Sequence, residues 1–219
     1  AAALQSWLEQ HHAQTAALIV EPMVQCAAGM AMHDASYLRE ARALCDRYDV
    51  HLIADEIATG FGRPGTMFAH QQAGIRTDFI CLSKGLTGGT LPLSAVLTTD
   101  TVYEAFYDDD VARGFLHSHS YTGNPLACRA ALATLQIFKD DNVLANNKVR
   151  AARLSAALAP LKDHERVRDF RQTGMIWAFD AVEPDAERAS TFSRRFVPKA
   201  LESERLLRPR GRTATLRPP

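Results

Sequence analysis

Two side chains of opposite charge stand at the ends of two short apolar runs. Asp55, with Glu56 beside it, follows Leu52-Ile53-Ala54, and Lys84 follows Phe79-Ile80-Cys81-Leu82-Ser83. A partly desolvated lysine has its amine pKa lowered and becomes a nucleophile toward carbonyls, forming a Schiff base. An aspartate nearby can hold a heteroaromatic cation. Together they supply what pyridoxal phosphate needs: an amine for the aldehyde, and a carboxylate that keeps the pyridine nitrogen protonated so that the ring acts as an electron sink. Gly60, Gly62, Gly65, Gly85, Gly88 and Gly89 lie between and after the runs, where backbone can turn tightly or approach a ligand that a Cβ would exclude. An Asp and a Lys at strand ends are also common surface charges, so the spacing of the whole stretch from His51 to Gly89 has to decide between the readings.

Both side chains can face one cavity if their strands lie in a parallel sheet, where ligands bind beyond the carboxyl ends. The order of elements predicts such a sheet. Ala17-Leu18-Ile19-Val20 reads as a strand buried on both faces. Residues 36 to 49 carry Tyr37, Leu38, Ala41, Leu44, Cys45 and Tyr48 at helical spacing behind the N-cap candidate Ser36. A strand over 51 to 55 follows, and strand, helix, strand implies a right-handed parallel crossover. A turn-rich segment from Gly60 to Gly65, a short helix around 66 to 73 and a strand over 78 to 82 repeat the unit. Residues 92 to 99 read as a further strand and 100 to 107 as a helix, giving an α/β fold. Helices over 124 to 138, 143 to 161 and 188 to 204, strand-like runs within 166 to 182 and an extended 206 to 216 complete the chain. The change of character places a domain boundary near residue 140, with residues 1–140 in a larger domain and residues 141–219 in a smaller α+β unit. Residues 1 to 12 already read as helix, no Met begins the chain, and Pro218-Pro219 ends it without a closing element, as in an internal segment of a longer protein.

Composition narrows the partners. The 219 residues are 47% hydrophobic and 23% charged, with Lys+Arg and Asp+Glu both at 25. A balanced charge recommends neither nucleic acid nor an anionic membrane surface. Cys26, Cys45, Cys81 and Cys128 form no CxxC and sit among apolar neighbours, as reduced, buried thiols of a cytoplasmic protein would. The apolar runs are too short to cross a bilayer, and the first residues lack the basic segment and apolar core expected of a signal peptide. His117 and His119 form an HxH pair without a third ligand at suitable spacing, a weak basis for a metal.

The stretch Leu52-Ile53-Ala54-Asp55-Glu56-Ile57, then Gly60 and Arg63, Asp78 before an apolar run, Ser83-Lys84 and Gly88-Gly89 resembles the signature of the class III pyridoxal-phosphate aminotransferases. SKGLTGGTLPLSAVLTT, DEIATGFGR and GFLHSHSYTGNPLACRAALATLQIF are similar to the members of that family that serve biotin biosynthesis, over nearly the whole chain and as the C-terminal portion of a longer sequence. The resemblance implies the PLP-dependent transferase fold type I, with a mostly parallel sheet in the large domain and a small C-terminal domain. It implies a homodimer with sites at the subunit interface. It also implies amino transfer from S-adenosylmethionine to 7-keto-8-aminopelargonate through the pyridoxamine form. Another class III enzyme acting on an ω-amino acid, or a catalytically silent truncated product, are the alternatives.

The same resemblance assigns roles. Lys84 binds the cofactor aldehyde and moves the proton between substrate and cofactor carbons, and Asp55 pairs with the pyridine nitrogen. Ile57 packs against one ring face, unless it only fills core. Ser118 and His119 match positions that contact substrate and phosphate largely through backbone, and Ser120 stands where the family commonly has a Thr reaching the phosphate of the partner subunit. Arg208 matches the arginine that clamps the substrate carboxylate, a task suited to a planar bidentate fork. It also belongs to a run with Arg205, Arg210, Arg212 and Arg217 that reads equally as a solvated face. Thr215 replaces an expected tyrosine, and Glu21-Pro22 and Gln25 shape the loop beside the cofactor. The family's Gly-Ser phosphate turn and its ring-stacking aromatic residue fall before residue 1.

Overall fold

Helix α1 (Ala2–His11) and strand β1 (Ala17–Val20) lead into a two-stranded ribbon, β2 (Val24–Gln25) and β3 (Ala31–Met32). Helix α2 (Ala35–Tyr48), strand β4 (His51–Asp55), strand β5 (Phe79–Leu82), strand β6 (Ala95–Thr98) and the short helix α3 (Asp100–Glu104) follow. Two long helices, α4 (Pro125–Asp140) and α5 (Val143–Leu158), precede β7 (Val167–Thr173), β8 (Ile176–Ala181), α6 (Ala186–Glu202) and β9 (Thr213–Leu216). The computed structural model describes residues 1–204, 207 and 209–216.

The larger sheet has the order β1-β4-β5-β6. Strand β4 runs parallel to both β1 and β5, while β6 returns antiparallel along β5. Leu8 of α1 and Leu44 and Cys45 of α2 close over Leu52, with Leu18 and Val20 packed beside them. Burial of this kind contributes about 25 cal/mol per Å² of apolar surface removed from water. The opposite face differs from expectation. Ile19 is 60% exposed and Val96 64% exposed, so β1 is covered on one face only among the described residues. A continuous apolar run therefore did not signal burial on both faces here. The cysteines also divide: Cys26 and Cys45 are buried, but Cys81 and Cys128 are half-buried.

Element ends were corrected by local hydrogen bonding. The cap of α2 is Asp34, whose Oδ1 accepts from the Ser36 amide at 2.8 Å; Ser36 lies inside the helix. The expected helix at 66 to 73 is a 3-10 helix, Ala69–Ala73. Asn124 caps α4 by accepting from Leu126 and Ala127 amides, ahead of Pro125, whose missing N–H costs nothing in a first turn.

Strands β7, β8 and β9 form a separate antiparallel sheet. Its β8 residues Ile176 and Ala178 pack into one cluster with Met23, Val24 and Met30. Arg171 of β7 adds polar ties, donating to the Gly29 carbonyl at 2.6 Å and the Met30 carbonyl at 3.0 Å. At the β7–β8 turn, Gly174 lies against the 63–65 loop at φ +55°, where a Cβ would stand 2.5 Å from the Arg63 carbonyl oxygen. The next amide, Met175, donates to that same oxygen at 2.7 Å.

Two measurements test this packing. Gly174→Ala combines a left-handed backbone with a backbone clash and is expected to destabilise by about 3 kcal/mol in denaturant unfolding. Asp78 accepts from Arg42 at 2.7 Å and from the Leu52 amide at 2.6 Å. Burial pushes its carboxyl up, but these donors and the Arg42 charge outweigh burial and hold it below the usual carboxylate range. A depressed carboxyl stabilises the fold above its unfolded value and loses that contribution as pH falls. Asp78→Asn is expected to cost about 2 kcal/mol at neutral pH, with the difference from wild type narrowing below about pH 4.

Candidate active site

Parallel pairing sets Asp55 opposite Cys81 at the ends of β4 and β5. Lys84 follows three residues later, so both expected site residues leave the sheet at one end. Asp55 is half-buried, and its Oδ1 accepts from the Ile57 amide at 3.0 Å, which closes a tight turn beyond the strand. Its Oδ2 has no hydrogen-bond partner among the described residues. The residue lines a recess of about 380 Å³ together with Glu21, Gln25, His33 and Tyr37. A carboxylate with one open oxygen in the wall of such a recess fits the protonated nitrogen of a pyridine ring. Burial first, and then the Asp55 charge, pushes the neighbouring Cys81 thiol up. Glu21 shapes the loop beside this recess, accepting from the Cys26 amide at 2.8 Å.

Lys84 leaves β5 through a backbone conformation unusual for any residue but glycine, at φ +46°. It opens a 3-10 turn, Lys84–Thr87, that is tied down on both sides. Ser83 Oγ donates to the Leu93 carbonyl at 2.7 Å, and the Gly89 amide donates to the Lys84 carbonyl at 3.2 Å. Strain of this sort persists where the surroundings over-determine it, and it gathers at functional sites. One expectation fails: Lys84 is exposed, not partly desolvated. Its amine has no hydrogen bond or ion pair among the described residues.

The 117–124 segment reaches the same end of the sheet by another route. His119, Tyr121, Thr122 and Asn124 line a cavity of about 630 Å³ with Ser83 and Leu91 to Ser94. His119 thus shares a cavity with Ser83, the residue before Lys84, but does not line the Asp55 recess, and Lys84 lines neither. The His119 amide is already donated to Thr122 Oγ1 at 3.0 Å, and His119 Nδ1 accepts from the Tyr121 amide at 3.2 Å. Ser118 and Ser120 are exposed. Among the described residues no group of three or more His, Cys, Asp or Glu could hold a metal. Thr215 lies buried in β9 opposite Ala178, a packing position. Arg208 lies outside the described residues.

Glu56 and Phe61 are the residues that sequence reasoning passed over. Glu56 is 0% exposed, and its carboxylate accepts from Thr59 Oγ1, from the Ala69 and His70 amides and from His70 Nδ1, all between 2.8 and 2.9 Å. Phe61 is buried against Leu82 and Leu86. The only signal in the sequence was the Glu56-x-x-Thr59 spacing, which puts a hydroxyl one turn from the carboxylate.

Residues 1–219 match the family model described as aminotransferase class-III. The adenosylmethionine-8-amino-7-oxononanoate aminotransferase of Helicobacter pylori is 46% identical over 222 residues, covering 99% of this chain and 50% of that protein. The crystal structure of the enzyme of that name from Methanocaldococcus jannaschii superposes with a TM-score of 0.92 at 36% identity, covering 99% of this chain and 52% of the other. An amine transaminase from an uncultivated Pseudomonas species, in its PLP-bound form, superposes with a TM-score of 0.88 at 34% identity, covering 99% and 50%. The chain thus spans about half the length of the relatives it matches. With Asp55 and Lys84 at adjoining ends of parallel strands, it belongs to the class III aminotransferases, pyridoxal phosphate-dependent transferases of fold type I.

Proposed function

We propose that the protein transfers an amino group from S-adenosylmethionine to 7-keto-8-aminopelargonate, forming 7,8-diaminopelargonate for biotin biosynthesis. The observation that carries this reading is the 46% identity to the Helicobacter pylori enzyme across 99% of this chain, joined to the Asp55 recess and the strained Lys84 turn. Pyridoxal phosphate, when bound, supplies an aldehyde for amine exchange and a ring that accepts electrons. Asp55 would hold the protonated ring nitrogen with its free carboxylate oxygen, and Ile57 would pack on a ring face. Lys84 Nζ would hold the aldehyde, and its amine, when free, would carry the proton that leaves the substrate carbon. Ser118 and His119 position the substrate, and Arg208 takes its carboxylate.

Ser120 serves the phosphate of a second subunit in this reading. Its support is the separation of the 117–124 segment from the Asp55 recess within one chain. The active protein is a homodimer on the same grounds. Tyr107 (69% exposed), Phe115, Leu116 (78% exposed) and Tyr121 present an apolar stretch of the sort that marks association surfaces. The reading also divides the chain near residue 140 into the end of a large cofactor-binding domain and a small C-terminal domain. It places the protein in the cytoplasm; among the described residues no helix is long and apolar enough to cross a membrane. The likeness to the Pseudomonas amine transaminase at TM-score 0.88 favours a second reading, in which the protein is another class III enzyme, acting on an ω-amino acid.

The test uses the full-length protein with pyridoxal phosphate. Lys84→Ala is expected to abolish the borohydride-reducible covalent attachment of the cofactor and to slow turnover by about 10³-fold or more; covalent attachment that survives refutes the assignment of Lys84. Turnover with S-adenosylmethionine but not with ω-amino acids supports the biotin reading, and the reverse preference supports the second.

A further inference from the structure

We propose that Glu56 is the positioning residue of this site: its buried carboxylate holds the 56–61 turn so that Phe61 seats on Gly85 and fixes Asp55 and Lys84 relative to each other. The inference rests on the assignment of those two residues made above.

Glu56 follows Asp55 directly and has no access to water. A carboxylate in that position is tolerable only when donors replace its hydration. Thr59 Oγ1 and the Ala69 amide donate to Oε2, and the His70 amide and His70 Nδ1 engage Oε1. The carboxylate thereby ties the residue after Asp55 to the 3-10 helix Ala69–Ala73. Its backbone is held as firmly. The Glu56 amide donates to the Cys81 carbonyl at 3.0 Å, carrying the β4–β5 pairing one residue past Asp55, and the Glu56 carbonyl accepts from the Gly60 amide at 2.7 Å. No Cβ fits at Gly60, where it would stand 2.8 Å from that carbonyl oxygen.

The turn delivers Phe61 at φ +60°. Its ring meets Phe68 edge-on at 5.8 Å and Phe138 at 6.3 Å. On its other side it fills the place of a missing side chain: a Cβ on Gly85 would stand 2.8 Å from Phe61 Cβ and 2.9 Å from its Cδ2. Gly85 is the residue after Lys84, which is itself in the left-handed region. Two strained residues, Phe61 and Lys84, are thus braced across one contact. The path from Asp55 through Glu56 and Phe61 to Gly85 and Lys84 is continuous in packed atoms.

Glu56→Gln and Phe61→Leu, made in the full-length protein loaded with pyridoxal phosphate, test the proposal. The second variant alters no charge and so separates placement from electrostatics. Both are expected to bind the cofactor but to weaken its visible circular dichroism per molecule bound. The half-reaction with donor is expected to slow about tenfold, with the donor KM changed less than about twofold. Wild-type circular dichroism and half-reaction rate in the folded variants, with only a lowered melting temperature, would overturn the proposal and leave Glu56 a stabilising residue. If Glu56→Gln does not fold, Phe61→Leu decides alone, by the same two readouts. If covalent attachment of the cofactor survives Lys84→Ala, the assignment of Lys84 fails instead, and this inference falls with it.

Discussion

The register between β4 and β5 governs the site. Side chains alternate faces along a strand, so a slip of one residue would carry Asp55 to the opposite face of the sheet. The structure pins the register at both ends. At the start of β5, Asp78 donates its amide to the Leu52 carbonyl and accepts the Leu52 amide on its carboxylate, which Arg42 of α2 also holds. At the finish, the Glu56 amide reaches the Cys81 carbonyl. One carboxylate thus fixes where the strands begin to pair, and a second fixes how the chain leaves them.

The smaller sheet is attached by a different kind of force. Ile176 and Ala178 give it apolar cover shared with Met23, Val24 and Met30, and Arg171 supplies directional bonds to the carbonyls of Gly29 and Met30. The 24–32 ribbon is therefore caught between the strand that leads toward the Asp55 recess and the sheet that follows α5.

Much of this was legible in the sequence, for identifiable reasons. Continuous apolar runs announced β1, β4 and β5, helical spacing announced α2 and α4, and the charges at strand ends announced Asp55 and Lys84. What escaped depended on tertiary surroundings. Whether Ile19 is covered turns on what packs over the sheet, which a run of apolar letters does not record. Ser36 and Asp34 are both good caps by type, and only backbone geometry shows which oxygen reaches an amide. Glu56 looks like surface charge until the chain returns at Ala69 and His70 to satisfy it. Lys84 was expected to be partly desolvated and is exposed among the described residues.

Among the described residues the larger sheet has a neighbour on one side only at each of its margins, β1 and β6. Such margins offer unpaired amides and carbonyls to any extended chain, and proteins usually blunt them with charge, proline or a covering element. Here Ile19 and Val96 present apolar side chains instead. An extended segment, from elsewhere in the protein or from another chain, would find open backbone groups to pair with along either margin.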